Sequence, residues 1–482
     1  MPSAYLPTLV AKRHLEDAGT LAALARVAVV LDDCPAPTAA GRTRCGLRGD
    51  LVAAGLAAVL LAAAAAVPWV VLTKLQRAAL FSDTAPLYAL WLPHKSWATL
   101  TSVLVVVAVV LWGPPLAARL PWRVLLAVTW ATGLTWAMSV ALIDGWRAGF
   151  ADRQTDGNEY VPTVASVADM PDMLRGFTSR ILEGVPGSWA THVAGHPPGA
   201  LLVFVWLERI GLGGPVWAAW FLTVAGTSAA LAVMVTVRAL SEETVARRAA
   251  PFLALVPATV WIAVSADAMF MAVTAWGVAL LALASTRRGG RSVFAAVPAG
   301  LLLGYGIFLS YGLVAMGLLA VAVFAAARSA RPLIPAALAA LAVVGVFYSF
   351  GFWWLDGYHL VVQRYYQGIA AARPFTYWGW GNFGSLVCAI GFAGAAGIAR
   401  VLQPSLLRAR SGLTLLVAGA ALMIIAADLS ALSKGETERI WLPFAIWLVA
   451  AGGALPVHHH RVWLALQGAM PIVIVSMVLT NW

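Results

Sequence analysis

The stretch AAPFLALVPATVWIAVSADAMFMAVTAWGVALLALAST, residues 249–286, decides how this chain must fold. It is apolar almost throughout, and one carboxylate, Asp267, stands inside it. A helix needs roughly 20 apolar residues to cross the hydrocarbon core of a bilayer. The stretch therefore reads as two spans, 249–266 and 267–286, joined where Asp267 can leave the lipid. Similar runs lie on both sides, at 50–73, 98–118, 124–143, 216–237, 292–309, 311–327, 333–354, 383–402, 413–431, 440–455 and 463–481. Together they make about 13 crossings, and helices suit them because a helix satisfies its own backbone polar groups.

Composition agrees with lipid as the solvent. Of 482 residues, 61% are apolar and 11% charged, against roughly 25% charged residues in soluble domains. The short alternating segments of a membrane β-barrel are missing from the sequence. Dense Ala, Leu and Val with scattered Gly suit close helix packing. The expected fold is all-α, a polytopic transmembrane helical bundle with interfacial helices in its first large loop. The net charge of +11 reads as topological, since basic residues anchor cytoplasmic loops, and nucleic acid is not an expected partner. Cys34, Cys45 and Cys388 form neither a metal spacing nor a disulfide framework.

Residues 1–48 are too polar for a cleavable signal peptide and read as a cytoplasmic tail, with a short helix around Leu15–Val30. Residues 49–123 carry two N-terminal spans, and 124–482 form the main membrane domain. With the N-terminus inside, Arg119 and Arg123, Arg238, Arg247 and Arg248, Arg287, Arg288 and Arg291, Arg328 and Arg331, Arg400, Arg408 and Arg410, and Arg461 all fall on the inner side. This holds if the short run Ala200–Leu212 lies in the interface or re-enters, as its length favours. The C-terminus then ends outside. The loop 144–198 falls outside too, with Asp144, Asp152, Asp156, Glu159, Asp169, Asp172 and Glu183, seven of the chain's 21 acidic residues.

Five constellations on that side carry candidate chemistry. Asp144-Gly-Trp-Arg and Asp156-Gly-Asn-Glu159-Tyr160 offer carboxylates at a membrane edge, where one can act as a general base on an acceptor hydroxyl; a solvated loop is the plain alternative. Thr191-His192-Val-Ala-Gly-His196-Pro197-Pro198-Gly199 places two histidines four apart before a helix start. They could hold a metal, donate to a phosphate, or close a turn. Ser265-Ala-Asp267 is either a site carboxylate or a helix cap. The stretch from Arg364 through Arg373-Pro-Phe-Thr-Tyr377-Trp-Gly-Trp380-Gly-Asn382 supplies aromatic planes for sugars and arginines for phosphate, unless it is an interfacial aromatic belt. Ser433-Lys434-Gly-Glu436-Thr-Glu438-Arg439-Ile-Trp-Leu-Pro443 puts basic residues on the side where they are disfavoured. An anionic group to hold would explain them, as would pairing with Glu436 and Glu438.

Taken in order, these features resemble the GT-C glycosyltransferases, nearest to the branch with protein O-mannosyltransferases and lipid A aminoarabinose transferases. Asp156-Gly-Asn-Glu159-Tyr160 looks like the acidic motif of their first outer loop, His196-Pro197-Pro198-Gly199 like their Pro-Pro element, Asp267 like their further Asp after a Ser-rich or Ala-rich span end, and Arg439-Ile-Trp-Leu-Pro443 like their late Arg–aromatic–Pro element. The Ala- and Arg-rich composition resembles actinobacterial proteins of this type. The resemblance covers about 124–455. It implies transfer of a sugar from a polyprenyl-phosphate donor to an extracytoplasmic cell-envelope acceptor (glycan, lipid or protein), with inversion, at the plasma membrane. Asp144, Asp156 and Glu159 are then the catalytic candidates. Tyr160, His192, His196, Asp267, Arg373, Tyr377, Lys434, Glu438 and Arg439 are the substrate-binding candidates, with membrane lipids around them. The resemblance specifies no cofactor, and the histidines beside acids leave a divalent metal open. The rival reading is a multi-span transporter or flippase of a lipid-linked or anionic substrate.

Overall fold

The computed structural model describes residues 39–481, with side chains from 47 onward. The expected tail helix at Leu15–Val30 and Cys34 lie outside the described residues. The longer helices run α1 Ala39–Val70, α2 Trp97–Arg119, α3 Trp122–Ala141, α4 Gly199–Arg209, α5 Pro215–Leu240, α6 Glu243–Ala254, α7 Asp267–Thr286, α8 Gly290–Leu309, α9 Met316–Ala327, α10 Leu333–Ser349, α11 Trp354–Gln367, α12 Phe375–Val401, α13 Gly412–Leu429, α14 Leu442–Val449 and α15 His460–Met477. Two short strands, β1 Ala89–Trp91 and β2 Val478–Thr480, pair antiparallel. Among the described residues nine helices are long and apolar enough to cross a membrane, ten if α10 and α11, bent by 74°, make one span. The protein is a multi-pass membrane bundle.

α7 lies at its centre, packed between α5 and α8, with α12 along α1 and α2 along α15. Residues 249–272 are buried without interruption. Close approach rests on small residues. A Cβ at Gly300 would fall 2.1 Å from the Ala336 carbonyl oxygen, and one at Gly304 would fall 2.7 Å from Ala340 Cα.

The founding stretch differs from its reading. Instead of one span over 249–266, α6 stops at Ala254, a tight turn follows at Pro257–Trp261, and helix resumes at Asp267. Pro257 has no N–H to continue the ladder and restricts the residue before it. The carbonyls freed by the break lie in an apolar interior, where each needs a donor. Gln467 Nε2 donates to Phe252 (2.7 Å) and Leu255 (3.1 Å). Trp136 Nε1 donates to Val256 at 3.2 Å, and Gln154 Nε2 to Val264 at 2.9 Å. α12 is interrupted too, at Gly391 (φ 74°), which packs on Pro257.

Other boundaries shift as well. The spans expected at 311–327 and 440–455 are shorter helices, each joined to a tight turn. α12 begins at Phe375 rather than 383, so much of the expected aromatic loop is its first turns. Ala200–Leu212, read as interfacial, is the short helix α4.

The basic connections gather at one end of the bundle. Arg247 donates to the Ala117 and Leu120 carbonyls, both at 2.8 Å. Arg400 forks onto Asp50 at 2.8 and 2.6 Å, and Leu413 N–H reaches Ser241 Oγ at 3.1 Å. An apolar groove of about 360 Å³ between α2, α3 and α6 runs toward the Arg119 end of α2. The loop 144–198 and the segments around 267, 373 and 434–439 meet at the other end.

Candidate functional site: a buried charge network

The network centres on Arg439, in the short helix Thr437–Ile440 that links α13 to α14. One terminal nitrogen donates to Asp267 Oδ2 at 2.9 Å; the other donates to Glu436 Oε2 at 3.1 Å and to His192 Nε2 at 3.2 Å. A guanidinium only donates, so His192 Nε2 accepts, and its proton resides on Nδ1. Nδ1 faces Glu159 Oε1 at 2.9 Å. Ser265 Oγ donates to Asp267 Oδ2 at 2.7 Å and accepts the Asp267 N–H at 3.1 Å. Asp267 thus turns its carboxylate to Arg439 at the very start of α7. Burial works against the charge on Arg439, and Asp267, Glu436 and Glu159 outweigh it, so its pKa is raised.

Glu436 joins a second arginine. Its Oε1 accepts from Arg373 at 2.9 Å, and Arg373 also donates to the carbonyls of Lys434 (2.8 Å) and Leu80 (3.2 Å). The rings of Tyr88 and Trp378 lie 5.4 Å from its guanidinium carbon. Burial works to raise the Glu436 carboxyl, and Arg439 and Arg373 together hold it below the usual carboxylate range. The backbone here is left-handed at Gly435 (φ 86°) and Glu436 (φ 63°), which costs a residue with a Cβ about 1–2 kcal/mol. Asn382, in α12, holds the turn: its Nδ2 donates to Asp428 and to the Ser433 carbonyl, both at 2.8 Å, and its Oδ1 accepts the Gly435 N–H at 3.1 Å.

Lys434 does not pair with the neighbouring acids. Its ammonium sits 5.0 Å from the Tyr366 ring, and burial lowers its pKa. Glu438 is 1% exposed. Its Oε1 accepts the Tyr88 N–H at 3.0 Å, and its Oε2 has no hydrogen-bond partner among the described residues. Burial pushes this carboxyl up to about 7.

The loop 144–198 supplies the rest. Asp156 is exposed and closes a turn, with its Oδ1 accepting both Asn158 nitrogens at 2.8 and 2.9 Å. Asn158 in turn takes the His192 N–H on its carbonyl at 3.0 Å, which fixes the histidine's segment against the acidic one. Tyr160 is buried, stacked on Phe204 at 5.0 Å, and its hydroxyl lies 2.7 Å from His196 Nδ1. That nitrogen also faces the His192 carbonyl at 2.8 Å. Burial pushes His196 down to about 4, so the ring is neutral at neutral pH. Pro197 and Pro198 set the entry to α4. Gly199 is required there, because a Cβ would fall 2.5 Å from the Phe308 carbonyl oxygen.

Two candidates stand apart from Arg439. Asp144 is tied to His94, whose Nε2 lies 2.7 Å from its Oδ1 and whose Nδ1 lies 2.7 Å from the Leu92 carbonyl. The ring thus bridges the Asp144 carboxyl to the Leu92 carbonyl. Tyr377 is buried in the first turns of α12 and donates to the Ala64 carbonyl of α1 at 2.8 Å, a helix-to-helix strut. Among the described residues no group of three His, Cys, Asp or Glu is disposed to hold a metal ion. Sequence reasoning missed Glu436, Asn382 and His94. Glu436 was visible only as a neutraliser of its neighbours, and Asn382 as the end of an aromatic stretch.

No family model matches the chain, and no curated protein matches it. Among solved structures, it is similar to the oligosaccharyltransferase of Archaeoglobus fulgidus in three states. In complex with zinc and sulfate the identity is 18% and the TM-score 0.40, over 73% of this chain and 52% of that one. The apo form gives 14% and 0.42, over 74% and 56%. The form tethered by a disulfide to an acceptor peptide with the NVT sequon gives 14% and 0.40, over 74% and 54%. The chain spans about half the length of the structures it matches.

Proposed function

We propose that the chain is a membrane glycosyltransferase of the GT-C type, moving a sugar from a polyprenyl-phosphate donor to a cell-envelope acceptor on the extracytoplasmic side. One observation carries this reading. Glu159, His192, Asp267, Arg373, Glu436 and Arg439, from four distant stretches, join in a single network at the end of the bundle opposite the basic connections.

The roles divide by accessibility. Asp156, exposed beside the network, takes the proton of the acceptor hydroxyl. The acceptor oxygen attacks the anomeric carbon, the bond from that carbon to the phosphate oxygen breaks, and the lipid phosphate leaves with the electron pair. Attack opposite the leaving group inverts the centre. Arg373, Arg439 and Lys434 stabilise the charge as it collects on the phosphate. Glu159 acts through His192, holding the ring so that it accepts from Arg439. No nucleotide is needed, because the lipid carries the activated sugar.

Carriage without cleavage is the second reading, and the two interrupted helices meeting at Gly391 and Pro257 favour it, since broken helices are common in transporters. The purified protein in sealed proteoliposomes, given radiolabelled polyprenyl-phosphate sugars, separates the two. Transfer to an acceptor, lost by about 10²–10⁴-fold in Asp156→Asn, supports the enzyme. Label crossing the bilayer intact supports the carrier. Full transfer in Asp156→Asn removes that residue as the base.

A further inference from the structure

The two arginines proposed to meet phosphate are already bridged by a carboxylate. Glu436 accepts from Arg373 on one oxygen (2.9 Å) and from Arg439 on the other (3.1 Å). A phosphate group between two guanidiniums would make the same pair of charge-assisted bonds with two of its oxygens. The carboxylate is presented from a left-handed backbone at Gly435 and Glu436, a conformation that a residue with a Cβ adopts only when its surroundings impose it. Relaxing Glu436 to ordinary backbone angles would swing its side chain off both arginines. The turn would stay anchored on each side by Tyr365 (2.8 Å to Lys434 N–H) and by Asn382.

We propose that Arg373 and Arg439 form an anion-exchange site, in which Glu436 occupies the position of the lipid-linked phosphate and gives it up when that phosphate binds. The inference rests on the glycosyltransferase reading for the identity of the anion. The exchange is balanced in kind: one anion leaves the arginine pair as another arrives, and Asp267 and His192 keep Arg439 in place throughout. In the donor the phosphate is a diester of lipid and sugar with one negative charge, like the carboxylate it replaces; the lipid monophosphate left by transfer carries about −1.5 to −2 near neutral pH. The neighbouring ammonium of Lys434, now resting over Tyr366, is placed to meet the difference. A neutral lipid has nothing to offer the pair, so the device selects for a charged headgroup.

Farnesyl monophosphate, with farnesol as the uncharged control, tests this by equilibrium binding to the purified protein. Glu436→Gln keeps the shape of the side chain and removes its charge. If Glu436 holds the site about nine-tenths of the time, farnesyl phosphate binds Glu436→Gln about tenfold tighter than wild type, with farnesol unchanged. Wild-type binding that is equal or tighter than in Glu436→Gln overturns the exchange and leaves the glycosyltransferase reading standing. Failure of both proteins to prefer farnesyl phosphate over farnesol overturns the two together. Should Glu436→Gln fail to fold, hydrogen exchange in the wild type decides: farnesyl phosphate must speed exchange at the Arg439 and Ile440 amides, which donate to the Glu436 carbonyl at 3.3 and 3.2 Å, and unchanged or slower exchange refutes the displacement.

Discussion

Three carboxylates of one loop, alike in sequence, differ once their partners are known. Asp144 is bonded to His94, Glu159 to His192, and Asp156 faces water. Glu438 behaves differently from all of them, being buried with one oxygen unpartnered. Its folded pKa of about 7 lies above the ordinary 4.5. Between these values the folded state holds a proton that the unfolded state has released, so stability falls as pH rises through this window and levels off above it. A shift of this size corresponds to about 3 kcal/mol at most. Thermal unfolding in detergent should show a midpoint that drops between pH 5 and pH 8, and a much flatter profile in Glu438→Gln. An unchanged slope in that variant would assign the pH dependence elsewhere. At this scale much of the network's membership was legible. Glu159, His192, Asp267, Arg373 and Arg439 are charged or polar groups set in apolar surroundings, and such groups must find one another. Which acid meets which base was not legible, because pairing depends on side-chain reach across helices distant in sequence. Glu436 illustrates this, reading as a partner for its own neighbours while bridging to Arg373 from another segment.

Helices obey the same logic with less visibility. Hydropathy marks where chain enters lipid, and the long spans from α1 to α3, α5, α7 and α8 follow it closely. It is blind to a break inside an apolar run, where every residue looks alike. Proline was the available signal: Pro251 and Pro257 stand where α6 ends and the tight turn begins. The remedy for the break comes from another helix and has no local signature at all. Gln467, fully buried in α15, caps two carbonyls of the interrupted segment. Gln467→Met keeps the length and removes the donor, leaving two buried acceptors unsatisfied at about 1–3 kcal/mol each. The expected result is a lowered unfolding midpoint, with the proposed transfer activity retained at temperatures below it. Loss of activity in a variant with normal thermal stability would instead give Gln467 a part in the reaction.

At the scale of the whole molecule, the two ends of the bundle differ in charge, and the proposed reaction requires a particular orientation of that difference. One end collects Arg119, Arg247 and Arg400 around the helix connections; the other collects the acidic loop and the Arg439 network. Basic connections tend to stay in the cytoplasm during insertion, and the proposed function accordingly expects the network outside, on the side where its lipid-linked donor and envelope acceptor would meet. Single cysteines report this directly in cells, on a background with Cys34, Cys45 and Cys388 replaced by serine. Gly157 and Asp169 are exposed in the acidic loop, and Arg288 is exposed in the connection between α7 and α8. A membrane-impermeant maleimide should label Gly157→Cys and Asp169→Cys in intact cells, and Arg288→Cys only after permeabilisation. The opposite pattern would put the network in the cytoplasm, where a nucleotide-linked donor is the natural sugar source and a lipid-phosphate donor loses its reason. Labelling of all three from outside would mean that the loop and the α7–α8 connection share a side, and the crossing of α7 itself would have to be redrawn.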